Sequence, residues 1–162
     1  MTLDEFFAIG TSVTLGAHRF DADEIKAFAA RYDPQPFHLD EKQAEGSVFG
    51  RLCASGWHTA AMWMRYNLAF QMEVESKLWN GPAPAPEFGP SPGFKDLRWL
   101  KPVYAGETII FSRTNISHRP IASRPGWRLL TLRAEGHDST GDRVIEFESA
   151  VLVKTDSVFG WA

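Results

Sequence analysis

Cysteine is almost absent from this 162-residue sequence: Cys53 stands alone, so an internal disulfide and a thiolate metal cluster are both excluded. Charge excess is equally slight. Seventeen basic residues stand against 20 acidic ones, a net charge of −3, with no basic block near either end, which disfavours general nucleic-acid binding. Long apolar runs are missing too. The least charged stretch, Trp57 to Met72, is broken by Arg65, Asn67 and Gln71 and falls short of the about 18 apolar residues that a membrane span needs. The opening MTLDEFFAIG carries acids early and has no basic segment before an apolar one, so no signal peptide and no membrane partner are expected, and a cytoplasmic location is. Repeats, low-complexity tracts, H-E-x-x-H, G-x-G-x-x-G and P-loop patterns are absent, and His18, His38, His58, His118 and His137 show no ligand-type spacing. Neither a metal nor another cofactor is expected.

What is present is an ordinary globular composition, 44% hydrophobic and 23% charged. A chain of this length removes roughly 70% of its unfolded surface from water, and one domain spanning residues 1–162 is expected. Thr11 to Phe20 reads as a strand. Asp21, with Glu24 three residues on, forms a capping-box pattern ahead of the Ile25, Phe28, Ala29 stripe of an amphipathic helix. Asp33-Pro34-Gln35-Pro36 ends that helix near Tyr32, because two prolines stand where backbone donors are needed. Asp40 can cap a short helix to about Glu45.

From Trp57 onward, Ala60, Ala61, Met64 and Leu68 share one helical face, while Met62, Trp63 and Tyr66 make the opposite face apolar as well. This pattern predicts a buried helix, covered on most sides by a sheet. Trp79 to Pro92 holds five of the ten prolines and reads as a surface excursion. After it come strand signals at Gly93 to Leu100, Thr108 to Ser117, Trp127 to Ala134 and Arg143 to Lys154, the last two joined by a turn at Asp138 to Asp142. Helices followed by four or five antiparallel strands give an α+β order with a curved sheet around one long helix. Phe159 and Trp161 would either dock on a neighbour or fray.

Two segments could carry chemistry. Asp33 and His38 lie five residues apart on a proline-stiffened loop, a pairing suited to general acid/base work; the plainer reading has Asp33 capping a helix end and His38 in a loop. Ser55-Gly56-Trp57-His58 opens the long helix, where free N–H groups and partial positive charge can hold a developing oxyanion. Gly56 would let a carbonyl approach the backbone. An ordinary cap and a structural His58 explain the same residues. Between Thr108 and Ala134 no acid occurs, while Arg113, Arg119, Arg124, Arg128 and Arg133 do; these could dock a phosphate-bearing ligand or simply line a solvated strand face. Cys53, beside Leu52 and Ala54, reads as a small core residue.

Taken together and in order, Tyr32-Asp33-Pro34-Gln35-Pro36-Phe37-His38-Leu39-Asp40, Phe49-Gly50, Ala54-Ser55-Gly56-Trp57-His58-Thr59, Leu97 to Val103 and Gly106-Glu107-Thr108 closely resemble the MaoC-like dehydratases, the (R)-specific enoyl-CoA hydratase group. The resemblance implies a hot-dog fold, an antiparallel sheet wrapped around one long central helix, usually dimeric. It also implies that Asp33 and His38 activate water for hydration of a 2-enoyl thioester to the (R)-3-hydroxyacyl product. Gly56 N–H would polarise the carbonyl, and Gln35, Ser55, Trp57 and His58 would contact the substrate. An acyl-CoA or acyl-carrier-protein thioester is then the partner. Two departures stand out: Gln35 replaces a common Asn, and Ala60 to Met64 offers no serine. Trp57, Trp63 and Trp99 would narrow an acyl tunnel. A hot-dog thioesterase, with a carboxylate near the helix, and a non-catalytic acyl-thioester-binding module are the alternatives.

Overall fold

A computed structural model describes residues 1–155; Phe159 and Trp161 lie outside the described residues. The elements run α1 (Leu3–Phe6), β1 (Ser12–Arg19), α2 (Ala22–Tyr32), α3 (Pro36–Leu39), α4 (Glu41–Glu45), α5 (Gly56–Glu73), β2 (Glu87–Phe88), β3 (Gly93–Trp99), β4 (Thr108–Pro120), β5 (Trp127–His137) and β6 (Arg143–Lys154). Most expected boundaries hold within a few residues. The helix after β1 ends at Tyr32, where Pro34 and Pro36 follow, and Asp40 caps α4 by accepting from Gln43 N–H at 2.8 Å. The two-residue β2 inside the proline-rich excursion raises the strand count to six.

All pairings are antiparallel, in the order β1-β4-β5-β6, with β2 and then β3 along the outer side of β6. α5 lies across the inner face of this sheet. Trp63, 1% exposed, anchors it: its indole N–H donates to Ser112 O at 3.0 Å and its ring packs edge-on against Phe147. Around it are Phe111, Ile109, Leu132, Ala134, Val144 and Ile145 from the sheet and Phe20, Ile25 and Leu52 from the segments before α5. Gly16 sits at a bulge in β1, where a Cβ would collide with the Tyr66 ring of α5, so the helix reaches the strand only because the side chain there is a hydrogen atom. This is the hot-dog architecture that the resemblance implied.

Three expectations are corrected. α5 is not covered all round: Trp63 and Asn67 are buried against the sheet, Thr59 is buried and His58 is buried against α2, whereas Trp57, Ala61, Met64 and Leu68 are exposed. The sheet covers one side of the helix, and the residues on the other side stay apolar without cover from this chain. Neither half of the capping box forms: the Asp21 carboxylate makes no cap bond and lies 3.5 Å from the Arg19 guanidinium, and the Glu24 carboxylate is drawn to His18 and His58. Arg113 does not lie on a solvated strand face: it is 2% exposed in an ion pair with Glu75, whereas Arg119, Arg124 and Arg128 lie at the β4–β5 hairpin and Arg133 is exposed in mid-β5.

Candidate active site

Asp33 follows α2 directly as its C-cap, at φ −154° and ψ 68°, outside the helical region that the following Pro34 disfavours. Pro36 then opens α3, whose single turn carries His38 and turns its ring inward. His38 is 5% exposed, and its Nδ1–H donates to the carbonyl of Cys53 at 2.6 Å. That bond fixes the neutral tautomer, so Nε2 carries a lone pair. This Nε2 lies 3.4 Å from Asp33 Oδ2. Cys53 thus contributes its backbone; its thiol, pushed up to about 11 by burial, is inert at neutral pH.

The Asp33 carboxylate is held on both oxygens. Gln35 Nε2 donates to Oδ1 at 2.7 Å, and Ser55 Oγ–H donates to Oδ2 at 2.7 Å. Burial opposes ionisation, but the Gln35 and Ser55 hydrogen bonds, joined by the attraction of His38 whenever its ring is protonated, outweigh it, and the carboxyl sits below its ordinary value. Ser55 is the N-cap of α5, its Oγ accepting from Trp57 N–H at 3.3 Å. Gly56, the first residue of that helix, has an N–H with no partner among the described residues.

These groups open on one cavity of about 450 Å³, lined by Asp33, Gln35, His38, Gly56 and Trp57, with Phe37, Phe49, Thr59, Trp99, Lys101 and Val103 around them. Trp99 stands edge-on to Trp57, ring centroids 5.0 Å apart, and its indole covers Gly56 so closely that a Cβ there would overlap it. Glycine at 56 is therefore required by Trp99. Lys101 reaches across to Asp138 and Asp142 of the β5–β6 turn at 2.7 and 2.9 Å. That double pairing raises the ammonium above its ordinary value, and Asp138 is held far below the usual carboxylate range by Lys101 first and Thr140 second.

The structure therefore gathers Asp33, Gln35, His38, Ser55, Gly56 and Trp57, and separates His58 from them. His58 points away from the cavity, 1% exposed, stacked on Phe28 and donating from Nε2 to Glu24 at 3.2 Å. Trp63 is likewise a core residue and lines a different cavity, so of the three tryptophans only Trp57 and Trp99 wall the site. Sequence reasoning missed the Cys53 carbonyl and Lys101: a backbone acceptor has no residue signature, and Lys101 meets its acids only across the sheet. Gly89-Pro90-Ser91-Pro92-Gly93 spells G-x-S-x-G, but Ser91 lies in a loop between strands and its Oγ–H donates to Gly93 O at 3.2 Å. With no strand-to-helix turn, it is not a nucleophile elbow.

No family model matches the sequence. Among solved structures, a MaoC-like dehydratase from Rhodospirillum rubrum is 32% identical, covering 96% of this chain and 98% of that one, with a TM-score of 0.73. The chain belongs to the MaoC-like dehydratase family. The (R)-hydratase from A. caviae involved in PHA biosynthesis superposes with a TM-score of 0.63 at 21% identity, over 91% of this chain and 96% of that one, a likeness of fold alone. An uncharacterized protein of Bacillus subtilis is 27% identical over 154 residues, 95% of this chain and 99% of that protein. No helix among the described residues is long and apolar enough to cross a membrane.

Proposed function

We propose that the protein is a hydro-lyase that adds water to a 2-enoyl thioester, or removes it from an (R)-3-hydroxyacyl thioester, with Asp33 and His38 as the acid/base pair and Gly56 N–H as the oxyanion donor. The observation that carries this reading is the 3.4 Å separation of Asp33 Oδ2 and His38 Nε2 at the wall of a cavity that Gly56, with its unpartnered N–H, also lines. An ionised Asp33 and a neutral His38 present two acceptors with no proton between them. A water molecule satisfies both by donating one hydrogen to each. In hydration His38 Nε2 takes a proton from that water as its oxygen bonds the β-carbon. The π electrons move toward the thioester carbonyl, where the Gly56 N–H at the positive end of α5 stabilises the enolate. The proton then passes from the imidazolium to the α-carbon on the same face, which gives syn addition. Acid/base positioning of this kind contributes about 10²–10⁴ in rate and one oxyanion donor about 10²–10³.

The Trp57–Trp99 wall favours short or branched acyl groups; equal rates from C4 to C12 thioesters would contradict that. A CoA or acyl-carrier-protein thioester, a role in fatty acid metabolism, a cytoplasmic location and a homodimer complete the reading. The exposed apolar face of α5 beside the unpaired side of β3 supports the dimer.

The deciding experiment follows loss of the enoyl-thioester absorbance with crotonyl-CoA. The native protein is expected to hydrate it, and Asp33→Asn and His38→Ala each to lose about 10² or more in kcat. Release of free thiol without hydration would replace this reading with a thioesterase. Acyl-CoA binding without turnover would replace it with a binding module.

A further inference from the structure

Ser55 stands between two parts of the site that are otherwise separate. Its hydroxyl accepts from the Trp57 N–H of α5 and donates to Asp33 Oδ2. The residue is fully buried, at 0% exposure, so no water competes for either bond. A hydroxyl polarised by a backbone donor at the positive end of an 18-residue helix is a stronger donor than a free one. The two residues around it differ in what they offer. Gln35 holds only the outer oxygen, Oδ1, and is largely open to solvent, whereas Ser55 holds Oδ2, the oxygen that faces His38. An ordinary N-cap needs an acceptor alone; aspartate or asparagine would serve as well. A hydroxyl, unlike a carboxylate, both accepts from the helix and donates to Asp33, and it does so from a single atom.

We infer that Ser55 is a positioning residue for the hydration step, relaying the field of the α5 N-terminus onto Asp33 Oδ2 so that Asp33 stays ionised and aimed at the water shared with His38. This inference rests on the proposed hydratase reading for its catalytic consequence, but not for its claim about Asp33. The groups that bear on this carboxylate are His38 from α3, Gln35 beside it, Ser55 from the start of α5, and Lys101 and Cys53 across the cavity. Lys101 is occupied by Asp138 and Asp142, and Cys53 is uncharged, so the Ser55 bond is the one from α5 that a single substitution removes.

The test compares native protein with Ser55→Ala and Ser55→Thr in two ways: the Asp33 carboxyl titration followed by carbon NMR of aspartate-labelled protein, assigned with Asp33→Asn, and the pH profile of kcat/KM with crotonyl-CoA. Thermal melting is recorded alongside. Ser55→Ala is expected to raise the Asp33 midpoint and move the acid limb upward with it, so that kcat/KM falls about tenfold on that limb and much less at alkaline pH. Ser55→Thr, which keeps the hydroxyl, is expected to restore both. If Ser55→Ala lowers the melting temperature while the midpoint and acid limb stay in place, Ser55 is a helix cap only and the inference is overturned. If the native protein hydrates no enoyl thioester, the hydratase reading falls, and the NMR midpoint still decides whether Ser55 governs Asp33.

Discussion

His38 and His58 are close in sequence yet meet opposite environments. His38 ties Nδ1 to a carbonyl and turns Nε2 to the cavity. His58 ties Nε2 to Glu24, and its Nδ1 is buried with no partner among the described residues, beside Phe20 and Phe28. Burial first, and His18 in smaller measure, lower its pKa from 6.5 despite the help of Glu24. The sign follows from proton uptake. The unfolded chain protonates this imidazole near pH 6.5 while the folded protein resists, so the stability it contributes is complete above that pH and is lost as pH falls below it. Melting temperatures of native protein and His58→Gln between pH 8 and 5 check this. The native curve is expected to fall more steeply below about 6.5 than the variant's, whatever the variant's stability at pH 8; parallel curves would refute it. Of the residue-scale features, the Asp33/His38 pair was legible because both residues sit on one stiff loop. The role of His58 was not, since its partners come from β1 and α2.

At the scale of elements, α5 is fastened to the sheet by an apolar anchor at Trp63 and by a polar one further along. Arg113 of β4 donates to Asn67 of α5 at 2.8 Å and to Glu75 just beyond it at 2.7 Å, with both charged partners buried. Such a pair costs much to desolvate, so what matters is that it be complete. Arg113→Ala, which strands the Glu75 carboxylate, is expected to destabilise by about 3–5 kcal/mol in urea unfolding. The double variant Arg113→Met/Glu75→Leu is expected to recover most of that. A double variant that loses as much as Arg113→Met and Glu75→Leu lose singly, added together, would show that the pair is not coupled. The alternation of β4 pointed to a strand, but not to the inward direction of its one buried arginine. Spacing showed five arginines without acids; the fold put Arg113 in the core, Arg119, Arg124 and Arg128 at the hairpin, and Arg133 on the exposed face of β5.

At the scale of the molecule, the exposed Trp57, Met64 and Leu68 of α5 lie on the side that the sheet leaves open, and Phe94, Trp99 and Leu100 are exposed along β3. Leaving such a surface in water is costly, and the proposed homodimer would bury it against a second copy. Sedimentation at micromolar concentration is expected to give a dimer, and Leu68→Glu to shift it toward monomer while the circular dichroism of the helix is kept. A monomeric mass for the native protein would remove the dimer from the proposed function.

Local order was readable from residues alone. Prolines that cannot donate ended α2 at Tyr32, a side chain that can accept capped α4 at Asp40, and alternating apolar residues marked β4, β5 and β6. These are interactions within a few residues, where chain connectivity already fixes the distance. The motif order also placed Asp33, His38 and Gly56 together through resemblance. What needed the folded chain was every contact between segments far apart in sequence: the Cys53 carbonyl that sets the His38 tautomer, the Ser55 hydroxyl on Asp33, the Trp99 indole over Gly56, and the side of α5 that faces the sheet. A periodic pattern reports that a helix face is apolar. Only packing decides which apolar face the sheet covers, because the choice depends on the shape and curvature of elements that the helix meets after folding.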